Sequence, residues 1–261
     1  MNVFSFDLVG DFAMFKKNDA NDIIFMTYNF IHKPAILGMI GAIMGYSGYS
    51  KSGNGKDPEY YEKLKDLYIS IIPNYSKPLS KTIVGFNDSS GLSSTDSYNN
   101  ANTWQVREQI LVGDSKKIKY TIFIKKAGEL ESCIETNIKN GITKYPLYFG
   151  KNEFFAHYEN YQTYKGTLIS NGIGKIDSLV KIGFGEENKV LINENLNDRD
   201  YFDHNEFEIY KIYENLPYDF DENGFYKKDL FILTNKRFDF TKINNMFSVE
   251  KNGQCRNVQF I

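Results

Sequence analysis

The sequence predicts an α+β protein, and three observations support that fold class. The 261 residues include 41% hydrophobic and 16% aromatic side chains, enough for the core of one large domain or two small ones. Strand-like alternation and helix-like periodicity both occur within residues 1–158. Within residues 159–261, short segments rich in Tyr, Phe and Ile are separated by Asn, Asp and Gly, which indicates a mostly β second domain.

The first strand and the first two helices have clear boundaries. A strand is predicted over Val3–Val9, where apolar and polar residues alternate, and Gly10 ends it. A helix is predicted from Pro34, which suits a first helical turn. Its apolar residues recur at helical spacing: Ile36, Met39, Ile40, Ile43 and Met44. A second helix is predicted to begin with Asp57 as its N-cap, followed by Pro58.

The following segments complete an alternating order of strands and helices. Further strands are predicted at Ile69–Ile72, Thr82–Phe86, Trp104–Val112, Ile118–Lys125 and Tyr148–His157, with a helix at Glu129–Lys139. The polar segment Asn87–Asn102 is predicted to be a loop or a long hairpin tip. The order strand, helix, strand, strand, helix, strand is that of a ferredoxin-like domain. We assign this domain to residues 1–158 and a β-rich domain to residues 159–261.

Composition and charge exclude several classes of function. The net charge of −2 leaves no overall basic field, so a nucleic acid would have to be bound by a local site. Cys133 and Cys255 lie far apart and outside any metal-binding motif, so we expect no metal and no cofactor. Asp7 stands where a secretory signal would be basic, and Ala35–Tyr46 is too short to span a bilayer. We expect a cytoplasmic protein without membrane contact.

One local anion site is suggested by the first predicted helix. Gly38, Gly41 and Gly45 form a stripe without side chains, and Lys33 lies next to the helix N-terminus. Free backbone N–H groups and the helix dipole favour an anion at such an end, and the lysine adds a positive charge. The alternative interpretation is tight packing of the helix on a sheet through glycine, with a solvated lysine.

The histidines and an acidic segment point less clearly to function. His32, His157 and His204 have no spacing typical of metal ligands or a catalytic triad, and structural roles are the simpler interpretation. His32 is the candidate general base for a ribose 2′-hydroxyl, because it lies next to the possible anion site. The segment Glu194–Glu222 has ten acidic residues, which favours a solvated face or a docking patch for a basic partner over an RNA surface.

Six sequence runs, in order along the chain, resemble the CRISPR-associated protein 5 family. They are Phe4–Gly10, Phe12–Lys16, Thr27–Tyr28, Gly38–Gly45, Gln105–Glu108 and Tyr145–Gly150. Together the runs extend over residues 1 to about 155, and their order is more specific than any single run. The length and spacing are most similar to the type I-B branch of the family.

The resemblance implies a fold, a function and a set of partners. The family belongs to the repeat-associated mysterious protein (RAMP) superfamily, which is built on a ferredoxin-like or RRM-like domain. Its members are Cascade subunits that cap the 5′ handle of the crRNA in antiviral defence. The implied partners are the crRNA handle, the backbone and large subunits, and, through the complex, target DNA near the PAM. The segment at about 87–102 would be the projecting thumb.

The resemblance also implies an RNA-binding set within this chain. The helix N-terminus would hold handle phosphates, and Tyr28 and Trp104 would stack on bases. The complete set of expected RNA-binding residues is Lys16, Lys17, Thr27, Tyr28, Lys33, Gly38, Trp104 and Arg107. No residue is expected to be catalytic, and none is expected to bind a metal.

An alternative function is metal-independent cleavage of CRISPR repeat RNA. Type I-C members of the family cut this RNA with an arrangement that resembles tyrosine, lysine and histidine. Tyr46 and Lys116 supply two of these roles here, but Lys117 and Ile118 follow where a histidine would be required. Lysine is a poor base at neutral pH unless its pKa is strongly lowered, so we expect no nuclease activity.

Overall fold

A computed structural model describes residues 1–19, 24–49, 57–75, 77–88, 104–113, 117–191 and 210–261. In these residues most regular structure is antiparallel β, with few helices. The strands are β1 Asn2–Gly10, β2 Phe12–Ala13, β3 Ile69–Pro73, β4 Ser80–Asp88, β5 Trp104–Val112, β6 Ile118–Lys125, β7 Leu147–Tyr148, β8 Phe155–Leu168, β9 Ile173–Lys175, β10 Val180–Lys181, β11 Lys211–Phe220, β12 Tyr226–Thr234, β13 Arg237–Asp239, β14 Met246–Lys251 and β15 Gln254–Gln259. The helices are α1 Lys33–Met44, α2 Glu59–Leu64, α3 Glu129–Lys139 and α4 Glu187–Val190, and a 3₁₀ turn covers Phe240–Lys242.

The largest sheet has the strand order β15-β14-β8-β1-β6-β3, and β7 pairs with β8 at its side. All of its pairings are antiparallel. Strand β1 lies inside this sheet, between β8 and β6, so both of its edges are hydrogen-bonded. Even its polar residues Ser5 and Asp7 are buried. Lys119 pairs with the Asp7 carboxylate at 2.8 Å, which compensates for the burial of that charge.

The principal core lies on one face of this sheet. It combines β1 and β6 with α1 and α3, and it also takes Leu216 and Phe231 from β11 and β12. A smaller cluster that includes Phe123 and Val249 covers the opposite face. The predicted division at residue 158 falls within β8, and strands from both sides of it are hydrogen-bonded in one sheet. The assignment of two domains stays a prediction.

Most of the predicted strands and helices are confirmed, with two corrections. The strand predicted at Tyr148–His157 is wrong in its extent, because β7 ends at Tyr148 and β8 begins only at Phe155. Gly150, with φ +85°, interrupts the extended backbone between them. Asp57 is not an N-cap: Pro58 holds that position with extended backbone, and no side chain caps α2.

Glycines in the motif runs are required by close packing between the runs. Gly150 lies so close to β2 that an added Cβ would be 1.9 Å from the Met14 carbonyl oxygen. At Gly10 an added Cβ would be 2.7 Å from the Phe149 ring. The runs Phe4–Gly10, Phe12–Lys16 and Tyr145–Gly150 therefore meet in space.

We expect Gly150→Ala to lower the free energy of unfolding by about 1–3 kcal/mol or more, because it adds left-handed strain to a clash with backbone. Gly141→Ala is the matched control, since Gly141 also has a positive φ but an added Cβ there meets nothing within 4 Å. Urea unfolding of both variants measures the difference. Equal stability of the two variants would contradict the close packing at Gly150.

Strands β4 and β5 form a hairpin outside the main sheet. They pair from Ser80 with Val112 to Asp88 with Trp104, and β2 pairs with the other edge of β5. The predicted thumb at about 87–102 lies outside the described residues except for its first two positions. Among the described helices, none is long and apolar enough to cross a membrane.

Candidate nucleic-acid interface

The N-terminus of α1 is capped and covered by protein. The His32 side chain is the N-cap, and its Nδ1 accepts a hydrogen bond from the Ala35 amide at 3.3 Å. His32 is buried, and its ring contacts Phe15, Tyr28 and Tyr226. An amide that would have bound an anion is thus already satisfied. Binding of a phosphate at this helix end stays a prediction, and the capped Ala35 amide does not support it.

Lys33 does not create an anion site either. Its ammonium group donates a hydrogen bond to the Ile261 carbonyl oxygen at 3.2 Å, and burial lowers its pKa. It lines a cavity of about 860 Å³ that contains five lysines and six carboxylates. This mixture gives the cavity no positive excess. The role predicted for Lys33 is therefore not supported by its surroundings.

Thr27 and Tyr28 have structural positions. The Thr27 hydroxyl accepts a hydrogen bond from the Phe15 amide at 3.0 Å and donates one to the Tyr28 carbonyl oxygen at 3.0 Å. Both residues are buried. The Tyr28 ring therefore presents no free face to a base, and the stacking predicted for it is corrected to a packing role.

Lys17 is held by an ion pair from the second half of the chain. Its Nζ lies 2.7 Å from Glu214 on β11, and the other carboxylate oxygen of Glu214 accepts hydrogen bonds from Asn29. Glu214 is buried, so the lysine compensates for a charge that would otherwise be unpaired. Lys17 is thus engaged within the protein, unlike its exposed neighbour Lys16.

The glycine stripe of α1 packs against helix α2. A Cβ added at Gly41 would lie 2.5 Å from the Tyr60 Cβ, and one added at Gly38 would lie 3.9 Å from the Tyr60 ring. Tight packing is confirmed at Gly41, but the element that packs there is helix α2 and not the predicted sheet. Gly45 ends α1 with φ +81°.

Among the predicted RNA-binding residues, the exposed cations lie at the base of the β4–β5 hairpin. Lys16 is exposed, and its Nζ lies 3.7 Å from the centroid of the Phe25 ring. Phe25 forms a β-bridge with Glu108 on β5, so its side chain lies on the same face of the hairpin as that of Glu108. Arg107 is also exposed, but alternation along β5 places it on the opposite face. The structure therefore does not bring the two predicted cations to one face.

A further cation lies on the Glu108 face of the hairpin. Lys151 forms an ion pair with Glu108, and its Nζ lies 4.8 Å from the centroid of the Phe86 ring. Phe86 is 38% exposed. Of Trp104, the other predicted stacking residue, the structure describes only the backbone pairing with Asp88.

A cavity of about 740 Å³ lies over the small-residue face of α1, and we name it the tyrosine cavity. Its floor includes Ala35, Gly38 and Ala42, which are spaced along one side of the helix. Its walls contain six tyrosines: Tyr46, Tyr49, Tyr60, Tyr145, Tyr148 and Tyr226. No charged side chain from the described part of the chain lines it. Sequence reasoning missed this cavity because its tyrosines come from four separate segments, although Tyr145 and Tyr148 belong to a motif run.

Burial raises the pKa of three tyrosines of the cavity. It raises the pKa of Tyr226 to about 12 and raises the pKa of Tyr60 still further. Burial also raises the pKa of Tyr49. These hydroxyls are therefore neutral at physiological pH and can both donate and accept hydrogen bonds.

The groups suggested for RNA cleavage are not assembled in the described residues. Burial lowers the pKa of His32 to about 3, so its buried ring is neutral and already serves as a helix cap. Tyr46 lines the tyrosine cavity, with the Lys63 Nζ 4.3 Å from its ring centroid. Lys116 and His204 lie outside the described residues. Within the described part of the chain, no group of three or more His, Cys, Asp or Glu residues could hold a metal ion.

His32 should make the stability of the protein depend on pH. Its pKa is about 3 in the folded chain against an ordinary value of 6.5, so its contribution is complete above pH 6.5 and is lost as the pH falls toward 3. Relative to His32→Asn, which keeps an N-cap acceptor, the wild type should lose about 1.4 kcal/mol per pH unit in this window. Denaturant unfolding at several pH values measures this. Parallel pH profiles for the two proteins would contradict the burial of a neutral His32.

No family model and no curated protein matches the sequence. Several solved structures are similar to the fold at low sequence identity. A CRISPR protein from Archaeoglobus fulgidus has 11% identity and a TM-score of 0.49, with 99% of this chain and 100% of that chain covered. A CRISPR RNA-guided surveillance complex contains a chain with 11% identity, a TM-score of 0.47 and 90% coverage of both. A chain of the type III-B Cmr-beta complex bound to target RNA has 16% identity and a TM-score of 0.42, with 92% of this chain and 86% of that chain covered.

Proposed function

We propose that the chain is a non-catalytic, RNA-binding subunit of a type I CRISPR effector and that it holds the 5′ handle of the crRNA. The observation that carries the proposal is the contact between the sequence runs that resemble the CRISPR-associated protein 5 family. The Met14 amide donates to the Phe149 carbonyl oxygen at 3.0 Å, and the Tyr28 amide donates to the Phe15 carbonyl oxygen at 2.8 Å. Runs far apart in the sequence thus form one structural unit.

The order of strands supports the ferredoxin-like part of this proposal. Within the main sheet, β8-β1-β6-β3 are neighbours, α1 lies between β1 and β3 in the chain, and α3 lies between β6 and β8. This is the βαββαβ arrangement that the resemblance implies for residues 1–158. The β4–β5 hairpin, whose strands diverge from this sheet, is the base of the proposed thumb.

The surface chemistry supports binding of single-stranded RNA by local features. Lys16 and Lys151 lie beside the aromatic rings of Phe25 and Phe86 on one face of the hairpin. Cations that contact phosphates next to aromatic side chains that stack on bases are typical of single-stranded nucleic-acid sites. We propose the remaining partners from the resemblance: the backbone and large subunits of the effector and, through them, target DNA near the PAM.

The non-catalytic assignment is supported by His32, which is buried and caps α1. Incubating the purified chain with labelled repeat RNA in EDTA tests it. The expected result is intact RNA. Sequence-specific cleavage that is abolished by His32→Ala but not by His157→Ala would instead establish the metal-independent endoribonuclease.

Binding of the handle is tested by fluorescence anisotropy with the purified chain. The probes are the 5′ handle RNA from the CRISPR array of the same genome and an RNA of equal length and composition with its sequence scrambled. We expect tighter binding of the handle, because bases are contacted as well as phosphates. Equal affinity for the two RNAs would contradict the proposal.

A further inference from the structure

We propose that the tyrosine cavity binds an unstacked nucleobase of single-stranded RNA, an inference that rests on the proposed function. Its volume of about 740 Å³ lies within the range of about 300–1,000 Å³ typical of sites for small organic groups. The half-exposed rings of Tyr145 and Tyr148 and the more exposed ring of Tyr49 provide flat aromatic surfaces. Every nucleobase has a π-face that can stack on such a ring.

The lining of the cavity fits a base and not a phosphate. Among the described residues no charged side chain lines it, so a phosphate inside would lose its hydration without gaining a counter-charge from them. A neutral base would bury apolar area against α1, where Ala35, Gly38 and Ala42 leave room. The neutral hydroxyls of Tyr60 and Tyr226 can form hydrogen bonds with the edge of a base.

Cations at the edge of the cavity could contact the phosphate backbone of the RNA to which such a base belongs. The exposed Lys144 packs against Gly45 at the end of α1, next to Tyr145. Lys63 lies over the Tyr46 ring, although it also pairs with Glu59 at 2.7 Å. An interior without charge and a cationic edge are complementary to a nucleotide, whose base is neutral and whose phosphate is anionic.

Adjacent residues connect the cavity with the hairpin face. Gly150 lines the cavity, and the next residue, Lys151, contacts Phe86 and Glu108 on the hairpin. A strand of RNA that places one base in the cavity can therefore continue along the Lys151 face.

The test measures the affinity of the chain for handle RNA with single tyrosine variants. Tyr145→Ala and Tyr148→Ala should each weaken binding by about 5- to 150-fold, the equivalent of losing one base stack of about 1–3 kcal/mol. Tyr145→Phe should bind like the wild type, because it keeps the ring. Phe184→Ala is the control, since Phe184 is 63% exposed and does not line the cavity.

A set of handle RNAs, each with one abasic nucleotide, identifies the bound base. At one position the abasic substitution should weaken binding to the wild type but have no further effect on Tyr145→Ala or Tyr148→Ala, because both changes remove the same stack. Tyrosine variants that bind every RNA like the wild type would overturn the inference while leaving the proposed function intact. Tyrosine variants that lose only a protein partner would assign the cavity to that protein and would also overturn it. Absence of handle binding by the wild type would overturn both.

Discussion

Phe149→Ala should lower the free energy of unfolding by about 3–5 kcal/mol, the range typical of a large aromatic side chain removed from a core. Phe149 is completely buried. Its ring lies 5.8 Å from that of Phe15 and 5.9 Å from that of Tyr120, and it covers Gly10 at the end of β1. Because these neighbours come from three segments, the cavity left by the substitution cannot be closed by a shift of any single one.

Phe155→Ala is the control for this experiment. Phe155 lies only six residues further along the chain, but its side chain is 70% exposed. Its replacement should change the free energy of unfolding by no more than about 0.5 kcal/mol. Urea denaturation, followed by tryptophan fluorescence and circular dichroism, measures both variants. A loss below about 1 kcal/mol for Phe149→Ala would contradict the contact between the motif runs.

Replacing Lys16 and Arg107 together by glutamine should weaken handle binding by about tenfold and make it less dependent on salt. Each phosphate contact on a single strand contributes about 0.7 to the slope of log affinity against log salt concentration, so two lost contacts should reduce the slope by about 1.4. Both side chains are exposed, so their replacement should not disturb the core. Anisotropy titrations over a range of salt concentrations measure the slope.

The single variants separate the contributions of the two faces of the hairpin, because Lys16 and Arg107 lie on opposite faces. A Lys165→Gln, Lys251→Gln double variant is the control with the same change in net charge, since these lysines lie at the far end of the main sheet on β8 and β14. It should leave the slope unchanged. A slope that is unaffected by the Lys16 and Arg107 substitutions would exclude both residues from the interface.

Local patterns were sufficient to predict the regular elements. Ile118–Lys125 and Glu129–Lys139 have the predicted bounds, because alternation, helical period and a left-handed Gly141 define them within a few residues of sequence. The predicted strand Tyr148–His157 was wrong in its extent, because the interruption between β7 and β8 depends on a tertiary contact. Gly150 approaches Met14, which is more than a hundred residues away in sequence.

The candidate site was harder to predict for the same reason. Lys33 and His32 have the sequence pattern of an anion site, but Tyr226 and the β11–β12 hairpin cover that helix end. The glycine stripe correctly predicted a close approach, and the approaching element is α2 through Tyr60. The tyrosine cavity could not be predicted, since it exists only where α1, α2, β7 and β12 meet.

Photocrosslinking of handle RNA that contains 4-thiouridine, followed by mass spectrometry of the attached peptides, tests the central claim most directly. The account predicts attachment within Tyr145–Lys151 and at the hairpin face that carries Phe25 and Phe86, with attachment in the first segment reduced by Tyr145→Ala. Attachment confined to β14 and β15, or at the Lys33 end of α1, would contradict it.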